Sequence, residues 1–80
     1  MPVVLRKKGY VFLFYASDGD EPRHIHVRKG RRKNAKFWLT PVVTLEKTRG
    51  FRPHELNEAE KIIEENLDYL IEAWDAFFGE

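Results

Sequence analysis

Eighty residues with no cysteine exclude a disulfide framework, thiolate chemistry and any cysteine-based metal centre. A hydrophobic fraction of 42% with 14% aromatic residues is that of a folded chain. A chain this short buries only about 60–65% of its unfolded surface, so a thin core and a gain from self-association are expected. The net charge of +1 hides a split: residues 1–53 hold thirteen of the fourteen Lys/Arg and four of the thirteen Asp/Glu, net +9, and residues 54–80 hold one Lys and nine acids, net −8. Two readings fit the split, a basic face for a polyanion or two halves that attract each other.

Val3 to Leu5 reads as a short strand, and Gly9 opens a longer one, Tyr10 to Tyr15, apolar on both faces. Ala16 to Pro22 is a turn by composition. Arg23 to Lys29 is a second long strand, Gly30 to Asn34 a basic turn, and Ala35 to Thr40 a third strand ended by Pro41. Val42 to Leu45 is a candidate for a further one. The short connections imply hairpins. Pro53 suits a first helical turn, and Leu56, Ala59, Ile63, Leu67, Leu70, Trp74 and Phe77 then recur at helical spacing up to a stop at Gly79. This stretch reads as one helix or as two that break near Glu65-Asn66, with Trp74, Phe77 and Phe78 in the core. The expected fold is α+β: one domain over 1–80, a small antiparallel meander of three to four strands in the basic 1–52, covered on one face by the acidic helical segment 53–79.

Alternation along Arg23 to Lys29 places Ile25 and Val27 on the core face and His24, His26 and Arg28 on the other, more open one. In the next strand Phe37 and Leu39 point inward, and Lys36 and Trp38 share the histidine face. Cations that engage phosphate, with an aromatic ring for an unpaired base, suit RNA. Lys29, Arg31, Arg32, Lys33 and Trp38 are the expected nucleic-acid contacts. If RNA is cut, His24 and His26 are the proton-transfer candidates near neutral pH, with Arg28 and Lys36 placed to position phosphate or stabilise charge. No cofactor and no metal are expected: a lone His-x-His pair needs a third ligand, and nothing in the spacing requires His54, Asp18, Asp20 or Glu21 to supply it. The competing reading makes both histidines structural, on a face covered by residues 41–52 or by a second copy of the chain, in a non-catalytic protein- or self-association module.

The run Glu21-Pro22-Arg23-His24-Ile25-His26-Val27, then Ala35-Lys36-Phe37-Trp38-Leu39 with Pro41, Arg49-Gly50-Phe51 leading to Glu55-Leu56, Ile63-Glu64-Glu65-Asn66, Trp74 and Phe78-Gly79 resembles the bacterial domain of unknown function 4160 (DUF4160) family over nearly the whole chain. Arg23 stands where that family usually has a second proline, and Arg52 where it often has a small polar residue before the helix. The resemblance implies a partner: family members are often encoded beside a small protein of the DUF2442 type, an arrangement that suggests a toxin–antitoxin module with this chain as the toxin component, acting on RNA or translation. A homo-oligomer is a further expected partner. No apolar run approaches the ~18–20 residues that span a bilayer, and MPVVLRKKGY lacks the apolar stretch of a signal peptide, so a cytoplasmic protein with no membrane contact is expected.

Overall fold

The computed structural model describes residues 2–79. Five strands, β1 (Val3–Lys7), β2 (Tyr10–Leu13), β3 (His24–Lys29), β4 (Lys33–Trp38) and β5 (Thr44–Arg49), pair in chain order as an antiparallel meander. Two helices follow, α1 (Pro53–Glu65) and α2 (Leu67–Phe78). The α+β class therefore holds, with one strand more than the three to four expected. The extra strand comes from the 41–52 segment. It does not fold over the histidine face but joins β4 at the sheet edge, where every residue of β5 is exposed. Among the described residues no helix is long and apolar enough to cross a membrane.

Local chemistry sets these elements. Lys7 pairs with Tyr10 across a two-residue turn in which Lys8 and Gly9 both have positive φ, 54° and 84°. Turns of that hand match the twist of the strands they join. Gly50 is required for room as well as for its φ of 85°: a Cβ there would stand 2.6 Å from the Arg32 carbonyl oxygen.

Pro53 occupies the first turn of α1. Arg52 caps that helix with no side-chain hydrogen bond, and Glu55 reaches back instead to accept the Arg52 backbone N–H at 2.9 Å. The helical segment is two helices. Asn66 ends the first because its side-chain amide donates to the Ile62 carbonyl at 2.8 Å, while its own N–H bonds the Ile62 and Ile63 carbonyls. Its carbonyl then accepts the N–H of Leu70 and starts α2, which ends on left-handed Gly79.

The core lies between one sheet face and the helices. Tyr10, Phe12, Phe14, Ile25, Val27, Ala35, Phe37 and Leu39 meet Ala59, Ile62, Ile63, Leu70 and Trp74. Trp74 packs edge-on to Phe14 at 5.3 Å between ring centroids. Phe77, expected in this stripe, is 45% exposed at the end of α2, though its ring still reaches Phe78 at 4.7 Å. Tyr10 ties β2 to α1 through its hydroxyl, which donates to Glu58 at 2.9 Å; burial, then that carboxylate, push its phenol up to about 12.

Because Phe37 is fully buried at the middle of this one-sided core, Phe37→Ala is expected to cost ~3–5 kcal/mol. Val42→Ala, at a residue 65% exposed, should stay within ~0.5 kcal/mol. Urea unfolding followed by circular dichroism checks both.

Candidate nucleic-acid interface

The register places the expected groups on one face, the side opposite the core of Phe12, Ile25 and Phe37, although at the start of β3 Trp74 of α2 still reaches His24. His24 pairs with Trp38, His26 with Lys36 and Arg28 with Asn34; β5 extends the rows with Thr44, Lys47 and Arg49. Val11 and Leu13 of β2 belong to this face, opposite Arg28 and His26. Between β2 and β3 the chain makes a 3-10 turn, Ala16–Asp20, and from it Asp18 reaches both histidines.

The two histidines share a face but not an environment. His24 is fully buried, its ring 4.9 Å from Trp74, 5.5 Å from Trp38 and 5.1 Å from His26. It therefore does not stand on an open surface, and its expected role as a solvent-facing proton-transfer group is corrected: the 3-10 turn and the two tryptophans enclose the start of β3. His26 is half-buried, with Nε2 3.0 Å from Asp18 Oδ2 and the Tyr15 ring 4.5 Å away. Burial draws the His26 imidazole below its ordinary value, against the pull of Asp18, which favours the uncharged ring. The carboxylate can only accept, so the hydrogen of the uncharged ring sits on Nε2 and is donated to Asp18. Burial works to raise the Asp18 carboxyl, but the Tyr15 backbone N–H at 2.8 Å and the two histidines outweigh it and hold that carboxyl below the usual range.

His26 borders a concave pocket of about 410 Å³ with Tyr15, Arg28, Arg31, Asn34 and Lys47. Among the described residues, Arg28, Arg31 and Lys47 have no acidic partner within 4.0 Å. Lys33 and Lys36 also line it, but both ammonium groups are committed. Lys36 is 7% exposed, bridged to Glu21 and, at 2.9 Å, to Glu46. Burial opposes its charge, yet those two carboxylates raise it above an ordinary lysine. Lys36 thus fixes the sheet and is not free to hold phosphate.

The remaining expected contacts divide by strand alternation. Lys29 and Lys33 fall on the helix side, where Lys33 lies 2.7 Å and Lys29 3.8 Å from Glu55. Arg32 is exposed at the hairpin tip, outside the pocket. Trp38 is half-buried beneath the Lys36 ammonium at 4.5 Å, and the aromatic ring at the pocket is Tyr15. Sequence reasoning missed Tyr15 and Lys47, and weighed Asp18 only as one of four possible third ligands to the histidine pair, not as the hydrogen-bond partner of His26. For Lys47 the signal is the sheet register, visible only once β5 is paired.

Cross-half attraction is real but partial. Lys8 pairs with Glu58, Arg23 with Asp75, and Lys29 and Lys33 with Glu55. Arg23 thereby anchors the entry to β3 onto α2 through a 2.7 Å contact.

The chain belongs to the DUF4160 family, a domain of unknown function, whose profile matches residues 9–75. No curated protein and no solved structure matches it.

Lys33 first, then the Arg52 backbone N–H, hold the Glu55 carboxyl at about 2, against an ordinary value of 4.5. A carboxyl depressed in the folded state adds stability above its unfolded value and loses it as pH falls through the folded one. Glu55→Gln should therefore lower the urea midpoint at pH 7, with the gap from wild type narrowing between pH 4.5 and 2. Unfolding curves at several pH values read this directly.

Proposed function

We propose that the chain binds RNA through the pocket bordered by Tyr15, His26, Arg28, Arg31 and Lys47, and that it is the toxin component of a two-protein module acting on RNA or translation. The observation that carries the reading is the combination in one concave site of three cations without acidic partners among the described residues, an aromatic ring and a half-buried imidazole. Arginine and lysine engage phosphodiesters, and a ring at the wall stacks on an unpaired base for ~1–3 kcal/mol. The volume falls within the ~300–1,000 Å³ of ligand clefts. Of the four residues expected to act in cleavage, His26 and Arg28 border the pocket with side chains free for the task. Asp18 orients His26 as an aspartate orients the histidine of a hydrolase, so His26 is the proton-transfer group of this reading.

A second reading, self-association, is favoured by the exposed outer strand β5, which carries Leu45 and follows exposed Val42, since an open edge invites another strand. Size-exclusion chromatography separates the two: a dimer dissolved by Leu45→Lys with RNA binding intact makes association a separate property.

Labelled single-stranded RNA should bind with a log–log salt slope near −2, about −0.7 for each of three phosphate contacts, and replacing Arg28, Arg31 and Lys47 with Ala should abolish binding without sequence preference. Expression of the chain alone should arrest growth. His26→Ala should relieve the arrest through a ~10²–10⁴-fold loss of cleavage while RNA binding persists. Absence of binding at low salt by the folded protein would sink the reading, and a folded His26→Ala variant that stays equally toxic would remove cleavage from it.

A further inference from the structure

The buried end of the site contains a group that RNA contact does not use. His24 Nδ1 lies 2.8 Å from the Pro22 carbonyl oxygen, which can only accept, so Nδ1 carries the hydrogen. The other nitrogen, Nε2, is buried, and among the described residues it is the one buried side-chain nitrogen or oxygen without a hydrogen-bond partner. It stands 3.3 Å from Asp18 Oδ2, and the same oxygen is 3.0 Å from His26 Nε2.

The geometry points to a divalent metal site of zinc-like chemistry formed by Asp18 Oδ2, His24 Nε2 and His26 Nε2. The three donor atoms lie within 4.8 Å of one another. Ligands at bonds of ~2.0–2.2 Å stand about 3.0–3.6 Å apart when they are tetrahedral or octahedral neighbours, which the two measured separations match.

The His24 tautomer is the one such a site needs. A backbone carbonyl that holds the non-ligating N–H is the usual device for aiming a metal-bound imidazole. A bare lone pair facing a carboxylate oxygen is repulsive unless a proton or a cation stands between them. A proton on Nε2 would donate to Asp18, and Nε2 makes no such bond. His26 takes an ion on Nε2 by moving its own proton to Nδ1.

Two imidazoles with one carboxylate select zinc and its transition-metal neighbours over magnesium or calcium. Lys36, opposite His26 in the register, is already neutralised by Glu21 and Glu46 and does not stand against the ion as a free charge. Of the three ligands His26 also borders the open pocket, so the site lies next to a route from solvent. With an ion bound, His26 serves as ligand, and a metal-bound water can take the base's part. The inference does not depend on RNA binding.

The test is direct uptake. Protein stripped with a chelator and titrated with Zn²⁺ in a calorimeter should bind one equivalent, and Co²⁺ in its place should give the visible ligand-field bands of a coordinated ion. His26→Ala and Asp18→Asn should each weaken Zn²⁺ binding by more than the ~10–100-fold typical of a lost supporting residue. His54→Ala, exposed on α1, should leave it unchanged. His24 is buried and its removal endangers the fold, so His26→Ala and Asp18→Asn carry the test, with circular dichroism confirming that both are folded. No uptake by the wild type overturns the site, as does equal affinity in the two variants or a loss confined to His54→Ala.

Discussion

Twenty-five helical residues cannot cover both faces of a five-stranded sheet, and this shortage of covering surface shapes the molecule. The helices take the face of Phe12, Ile25, Val27 and Phe37, whose burial supplies the apolar stabilisation. The opposite face must remain wet or be covered by something small. The chain covers one end of it with the short 3-10 turn, Trp38 and the edge of α2 at Trp74, and leaves the other end open. A gradient from dry to wet along β3 results: His24 is enclosed, His26 half-enclosed, and Arg28 lies at the pocket.

Asp18 stands where that gradient is steepest. Its carboxylate accepts the Tyr15 N–H within its own turn, and it faces both histidines of β3. One side chain thereby closes the 3-10 turn, holds it against the sheet and sets the His26 tautomer. Its neighbour Glu21 continues the same task by bridging to Lys36. The two acids of this turn that face β3 and β4 thus secure a loop that brings no buried residue to the core.

Much of the architecture could be read from residue patterns. Alternation in β3 and β4 assigned Ile25, Val27, Phe37 and Leu39 to the core, and all four are buried. The helical period found the α1 and α2 stripe, with Asn66 within the suggested break. Period-2 reasoning stops at direction. It puts His24 and His26 on one face but says nothing about what lies over that face, and here a turn six residues upstream makes one dry and the other accessible. The run Tyr10 to Tyr15, apolar on both faces, carries no alternation to read and so does not tell which set faces the core; in the structure Tyr10, Phe12 and Phe14 point inward. β5 was underestimated because its exposed, polar residues lack a buried face.

The basic hairpin shows how the charge split and the pleat act together. Along Arg28, Lys29, Lys33 and Asn34, successive residues face opposite sides of the sheet. The cations on the helix side, Lys29 and Lys33, come within reach of Glu55, while Arg28, on the other face, has no acidic partner within 4.0 Å among the described residues. The acidic helices therefore neutralise half of the hairpin and leave the other half charged. A sheet with the same composition but its register slipped by one residue would exchange the two sets. It would expose Lys29 and Lys33 and press Arg28 against the core, at the cost of burying an unpaired guanidinium. The core that fixes the register, Ile25 and Val27 against Phe37 and Ala35, thus also fixes which positive charges remain free. The polar face owes its character to the packing on the face it cannot see.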